Sequence, residues 1–395
     1  MATRLWLGVV MGAVVAACGG GSGTTGSSTD NRSSYHVGPG PQGGSALYSQ
    51  FRSGKKLVLH QRQLIAVTPA SLRDRLATME TTLGAFDGVF LRLPTTGDKI
   101  ATATPVAASA IATDLQPLYA LKPAQLKYNF AVVPMQHDLD AFDDWSPVIA
   151  NFMALAKVAR DAGLVGIVID DEAYSGLRAN YPHGLKFPNR TLQDYRAQTQ
   201  LVGKKIMQAI VAEFPDAAVV VLRGAAGADP ATPVHLVNRE SDTAQLLGPF
   251  FAGFVEAKVA SSLLVDGGTD YGLRTAEQFD GSAAWRRTGL PSAATNSVFI
   301  SDDVRAAWPT AVNISFGLRE LDGAHGNLLP NDTTLWASTV LTALRSTDTF
   351  VWASFDLTDL TQATASNPWV AAATRAKLAA ASPAGSPGIQ VSDAL

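Results

Sequence analysis

The chain has 395 residues, 47% hydrophobic and 16% charged, with a formal net charge of −3. That composition fits an ordinary globular chain with a large core, and a near-neutral balance without a Lys/Arg tract argues against nucleic-acid binding. The single cysteine excludes a disulfide framework, thiol catalysis at the folded domain, zinc–thiolate sites and iron–sulfur clusters.

The first residues read as a targeting segment. Arg4 supplies a positive n-region, and Leu5 to Ala17 is an apolar stretch too short to span a bilayer, as in a signal peptide (residues 1–17). Its end, Val15-Ala16-Ala17-Cys18, resembles the lipobox of bacterial lipoproteins. The resemblance implies cleavage before Cys18, lipidation of that cysteine and attachment to a membrane through the lipid. Gly19, in place of an Asp, points to the outer membrane or cell surface rather than the inner membrane. Residues 18–46 are rich in Gly and Ser without apolar periodicity, as expected of a flexible tether. The run GGGSG has neither a preceding strand nor a following helix, so it is not a nucleotide loop.

From Lys55 the chain alternates strand-like and helical patterns. KLVLH (Lys56 to His60) reads as the first strand, and Thr68-Pro69 opens a helix to about Leu83. GVFLRL (Gly88 to Leu93) is the second strand, followed by a helix over 105–121. YNFAVVPM (Tyr128 to Met135) is the third, with an amphipathic helix from Trp145 that stops at Gly163. GIVIDDEAY (Gly166 to Tyr174) holds the fourth, before a long helix over 191–214. AAVVVLRG (Ala217 to Gly224) and SSLLVDGG (Ser261 to Gly268) are the fifth and sixth, with helices over 244–259 and 276–288. An insertion from Pro291 to Trp308 precedes the seventh strand, AVNISFGL (Ala311 to Leu318). A helix over 332–345, an eighth strand TFVWASFD (Thr349 to Asp356) and a helix over 369–381 complete the pattern. Eight strand–helix units predict a single-domain (β/α)8 TIM barrel over residues 47–382, with 383–395 as a tail. An open doubly wound sheet is the alternative, but no Gly-rich phosphate loop follows the first strand.

The acidic end of the fourth strand carries the chemistry. A buried parallel strand is a near-continuous β-branched run, and a TIM barrel places its reacting groups at the C-terminal ends of such strands. Side chains alternate, so Val168, Asp170 and Glu172 share one face and Ile167, Ile169 and Asp171 the other. Paired carboxylates over a barrel mouth suit glycosidic bond cleavage. The other strand ends supply His60; Arg92; Gln136, His137 and Asp138; Tyr174; Arg223; Asp266, Asp270 and Tyr271; Glu320; Trp352 and Asp356. Acids, Arg and aromatic rings at one mouth suit a polyhydroxylated ligand, since carboxylates and Arg bind hydroxyls and ring faces stack on sugars. On the sixth strand Leu264 and Asp266 share a face, and Asp266 is expected to point over the barrel. Trp352, Ser354 and Asp356 share a face on the eighth. On the seventh, the small polar Asn313, Ser315 and Gly317 read as inward, which leaves Glu320 on the outward parity.

GIVIDDEAY resembles the fourth-strand signature of glycoside hydrolase family 18, the chitinase-like barrels, which reads roughly DGIDIDWEYP. Gly166, Ile167, Ile169, Asp170, Glu172 and Tyr174 match, while Val165 and Val168 stand where that family has Asp. FVWASFDLTD (Phe350 to Asp359) resembles its eighth strand, with Trp352 at the sugar-stacking position. The resemblance implies Glu172 as general acid and Asp170 as the residue that orients the substrate.

The resulting expectation is an exported, lipid-anchored glycoside hydrolase acting on a polysaccharide or oligosaccharide. Glu172, Asp170 and Asp266 are its candidate catalytic residues, Asp266 or Asp170 serving as nucleophile or base. His60, Arg92, Gln136, His137, Tyr174, Arg223, Asp270, Tyr271, Trp352 and Asp356 are expected to bind substrate. A carboxyl separation of about 5 Å would give retention and about 7–9 Å inversion. Two alternatives stand beside it. One is a catalytically silent carbohydrate-binding barrel on the cell surface. The other is a metal-dependent hydrolase, against which the six histidines show no ligand spacing. No G-x-S-x-G lies on a strand-to-helix turn, and no nicotinamide, flavin or phosphate cofactor is implied.

Overall fold

Runs such as LVL, VFL and VVV are apolar on consecutive residues, so a strand built from them needs cover on both faces. A parallel barrel wrapped in helices provides it. The computed structural model describes residues 49–51, 56–62, 65–135, 139–171, 186–225, 246–269, 271–292, 300–319, 332–356, 358–362 and 367–382. The signal peptide, the tether with Cys18, and the tail over 383–395 lie outside the described residues. So do Gln136, His137, Asp138, Glu172, Tyr174, Asp270 and Glu320.

Nine strand segments form one all-parallel sheet: β1 (Lys56–Gln61), β2 (Gly88–Arg92), β3 (Phe130–Pro134), β4 (Gly166–Asp170), β5 (Ala218–Val221), β6 (Leu263–Asp266), β7 (Val312–Ile314), β8 (Phe316–Arg319) and β9 (Phe350–Phe355). Their order is β7-β6-β5-β4-β3-β2-β1-β9-β8. β7 and β8 are the two halves of the expected seventh strand, interrupted at Ser315. The first half pairs with β6 (Asp266 opposite Ile314) and the second with β9 (Gly317 opposite Trp352). The interrupted strand therefore joins the two ends of the sheet, and the fold is a (β/α)8 TIM barrel.

The longer helices are α1 (Pro69–Thr82), α2 (Ala108–Leu115), α3 (Ser146–Asp161), α4 (Leu192–Glu213), α5 (Leu247–Ala257), α6 (Ala276–Ala284), α7 (Asp302–Ala311), α8 (Thr333–Ser346) and α9 (Pro368–Ala381). Local chemistry starts several of them. Thr68, Thr191 and Thr275 each cap a helix and exchange hydrogen bonds with the residue three positions on. Two details depart from expectation. The insertion over 291–308 contains most of α7, which Ser301 caps and whose first turn carries Asp302 and Asp303. The helix expected over 276–288 changes at Trp285 into a π-helical turn, Trp285–Gly289.

Two apolar layers share the barrel wall. Leu57, Leu59, Val89, Leu91, Ala131, Val133, Ile167, Ile169, Val219 and Val221 face out and pack with the helices. Val58, Phe90, Phe130, Val132, Val168, Val220, Val265, Phe350 and Trp352 face in. The interior is a column of aromatic rings. Phe51, just before β1, packs on Tyr128 (centroids 5.0 Å apart) and Phe350 (5.5 Å) at the N-terminal end. Phe90 meets Phe130 at 5.4 Å and Trp352 at 6.0 Å farther up. Offset and edge-on ring pairs of this kind add about 0.5–1.5 kcal/mol each beyond the area they bury. Gly317 makes room for this column: a Cβ there would come within 2.3 Å of the Trp352 ring.

Candidate active site

The mouth is built on the inward parity of the strands. On β1 that parity carries Val58 and then His60, which is buried and packs on Phe90 (5.4 Å) and Trp352 (5.7 Å). Two residues on, Arg62 follows. On β4, Val168 faces in and Asp170 continues its face. Arg62 Nη2 stands 4.0 Å from Asp170 Oδ2, both side chains mostly buried. On β9, Trp352, Ser354 and Asp356 follow one another up the wall, and Ser354 Oγ donates to Asp356 Oδ1 at 3.3 Å. Asp356 Oδ2 also accepts from Arg319 Nη2 (2.7 Å) and Nε (3.1 Å). The Arg319 guanidinium lies 5.9 Å from the centre of the Tyr271 ring, and Tyr271 stands edge-on to Trp352 at 5.9 Å. His60, Arg62, Asp170, Tyr271, Arg319 and Asp356 thus stand at the C-terminal end of the barrel, His60 and Tyr271 against Trp352.

Electrostatics fix the state of His60. Burial, and secondarily the positive charge of Arg62, lower its pKa to about 3. His60 is therefore a neutral imidazole near pH 7, and its Nδ1 is buried without a hydrogen-bond partner among the described residues. A neutral imidazole over an aromatic floor can donate to or accept from a hydroxyl, but it cannot supply a charge.

Other expected residues fall elsewhere. Trp352 is fully buried, with Nε1 donating to Gly267 O at 2.8 Å, so it forms the floor beneath His60 and Tyr271 rather than an open face. Arg92 is exposed and pairs with Asp98 at 2.9 Å beside the mouth. Arg223 follows β5, and its backbone N–H donates to Asp171 Oδ1 at 2.8 Å.

The expectation for the sixth strand is corrected. Leu264 belongs to the outer layer and Val265 to the interior, so Asp266 points away from the mouth. Its carboxylate is buried against Arg286, Nη1 to Oδ1 at 2.8 Å, and also accepts from Gly268 N–H at 3.2 Å. Arg286 comes from the π-helical turn. It spends Nη2 on the Ser315 carbonyl (2.9 Å), at the break between β7 and β8, and its guanidinium lies 4.8 Å from the Phe316 ring centre. The inward reading of Asn313, Ser315 and Gly317 agrees with the outward packing of Ile314, Phe316 and Leu318.

Two mouth residues escaped the sequence reading, and strand parity alone finds both. Arg62 continues Val58 and His60, while Arg319 continues Asn313, Ser315 and Gly317. Among the described residues no group of three or more His, Cys, Asp or Glu side chains is placed to hold a metal ion.

Neither a protein-family model nor a curated protein sequence matches this chain. Several solved structures resemble it at low identity. An endocellulase from Pyrococcus horikoshii, in complex with cellotetraose, is 12% identical over 82% of this chain and 92% of its own, with a TM-score of 0.41. A glucosidase from Croceicoccus marinus is 11% identical over 87% of this chain and 69% of its own, at 0.40. A 3-keto-D-glucoside 4-epimerase from E. coli is 13% identical over 82% of this chain and 97% of its own, at 0.38. The strand order and register alone define the barrel.

Proposed function

We propose that this chain is a glycoside hydrolase that cleaves a polysaccharide or oligosaccharide by carboxylate chemistry. The observation that supports the reading is Asp170 on the inward face at the C-terminal end of β4, 4.0 Å from Arg62, at the same end of the barrel as His60 and the Arg319–Asp356 pair. The next residue of that parity is Glu172, which the resemblance to the chitinase-like barrels makes the general acid. Asp170 then orients the substrate or stabilises the developing charge, and Asp266 has no part in it. Neutral His60 and the Arg319–Asp356 pair bind hydroxyls. Gln136, His137, Tyr174 and Asp270 complete the proposed binding set, and Cys18 is the proposed lipid attachment that fixes the enzyme to the cell envelope.

The test is a reducing-end assay on a panel of bacterial and plant polysaccharides, with the full-length protein beside Glu172→Gln. Release that the variant loses supports the reading. Release that survives the substitution keeps an enzyme but discards Glu172 as its acid.

A carbohydrate-binding barrel without turnover is the second reading. The engagement of Asp266 by Arg286 favours it, because it removes one expected carboxylate from the mouth. Glycan binding that Glu172→Gln alters, with no release from any substrate, would establish it.

A further inference from the structure

β4 and β5 are hydrogen-bonded neighbours, and Leu222 N–H donates to the Ile169 carbonyl at 3.0 Å where the ladder ends. Past that point the chain after β5 turns away. Gly224 takes φ +59° and donates to the Val221 carbonyl at 3.1 Å. The N–H of Arg223, between them, is taken by Asp171 Oδ1 at 2.8 Å. A side chain thus adds one more rung where the two strands part.

Asp171 follows Asp170 but faces the other way, with 1% of its surface exposed. Its Oδ2 is buried without a hydrogen-bond partner among the described residues. An ionised carboxyl in that setting is costly, and an asparagine could make the same rung. A buried acid next in the chain to a proposed reacting residue is a pattern that clusters at functional sites.

We propose that Asp171 is a positioning residue for the carboxylates of the mouth: through its bond to the Arg223 N–H it holds the ends of β4 and β5 together next to Asp170. Kept neutral, it sets no second charge beside Asp170, and its ionisation limits the site at alkaline pH. The inference rests on the glycosidase reading, through the roles of Asp170 and Glu172. Two charged groups act on Asp171. Arg223 favours its ionised form, and Asp170 on the same strand opposes it. Burial outweighs them and pushes the carboxyl up to about 8.

The experiment uses the full-length protein, Asp171→Asn and Asp171→Ala. On a glycan that the wild type cleaves, D171A is expected to lose kcat on the order of 10-fold with little change in KM, because the reacting groups are misplaced while the binding residues remain. D171N is expected to rescue that loss and to stay active above pH 8, where the wild type declines. An unchanged kcat in D171A, or the same alkaline decline in D171N, overturns the proposal.

Thermal melts give a second readout that needs no substrate. The folded state holds the Asp171 proton up to about pH 8, whereas the unfolded chain releases it near pH 4. The stabilisation is complete below about pH 4, falls as pH rises to 8 and is constant beyond. The Tm of D171N should therefore gain on that of the wild type between pH 4 and 8. A Tm difference independent of pH overturns the inference, whether or not any glycan is cleaved. The expected Tm behaviour without turnover on any glycan overturns instead the glycosidase reading and the catalytic half of the proposal.

Discussion

Two aspartate–arginine pairs occupy the same end of the barrel wall and do opposite things. Asp266 and Arg286 lie outside the wall, almost wholly buried, with Nη1 and Oδ1 at 2.8 Å. Asp170 and Arg62 lie inside it, partly open to solvent, and approach only to 4.0 Å. The outer pair is further bonded by Gly268 N–H and the Ser315 carbonyl, and it fastens the point where the seventh strand changes partners. The inner pair stands over the aromatic floor beside a neutral imidazole. The same two residue types become a rivet on one parity and line the barrel mouth on the other, so the face of the strand decides their surroundings.

Breaking the outer pair gives the largest expected loss of stability. Arg286→Ala should cost about 3–5 kcal/mol, because it strands the Asp266 carboxylate in a dry site. Chemical denaturation measures it, and a loss below about 1 kcal/mol would deny the rivet. Asp170→Asn should do the reverse. Stability should fall less than in Arg286→Ala, because the Asp170–Arg62 pair is looser, at 4.0 Å, and less deeply buried, while turnover on a cleaved glycan drops by about 100-fold or more, or about 2.7 kcal/mol of barrier. Full activity in Asp170→Asn would move the reaction elsewhere.

Gly317→Ala sharpens the comparison at the floor the two regions share. The added methyl meets the Trp352 ring, and overpacking of this kind costs about 1–3 kcal/mol. His60→Gln isolates a pH effect. The folded pKa of His60 lies near 3, below the unfolded value of about 6.5, so its contribution to stability is full above pH 6.5 and is lost as pH falls towards 3. The variant should lose less stability than the wild type over that interval, read from melts at pH 7 and pH 4. The smallest effect is expected from Arg92→Gln. Its pair with Asp98 is exposed and contributes less than about 1 kcal/mol, and added salt should shrink even that.

The strands were legible because each is a short β-branched run bounded by Gly, Pro or polar residues, and seven of the eight appear as continuous segments near their expected places. The face of the sixth was not legible. Leu263, Leu264 and Val265 are all apolar because a parallel barrel strand is buried on both sides, so hydrophobicity cannot distinguish lumen from helix layer. The seventh strand could be read because Asn313, Ser315 and Gly317 alternate with Ile314, Phe316 and Leu318. Its interruption was not legible, since the partner that stabilises it, Arg286, comes from a π-helical turn with no sequence signal of its own. α7 did carry a signal in Ser301-Asp302-Asp303, a cap followed by acids.

Joining the interrupted strand to both β6 and β9 has a topological corollary. In the closed ring β1 pairs with β9 from Lys56 opposite Phe350 to Gln61 opposite Phe355. The closing helix also returns to the start of the barrel, where Lys377 bonds the Ala85 carbonyl and pairs with Asp87 at 2.7 Å. The beginning and end of the barrel are thus side by side, and no strand is privileged as first. A circular permutant that links the end of α9 to the segment before β1 and opens the chain at the exposed stretch Ala103 to Pro105 keeps every rung of the ring.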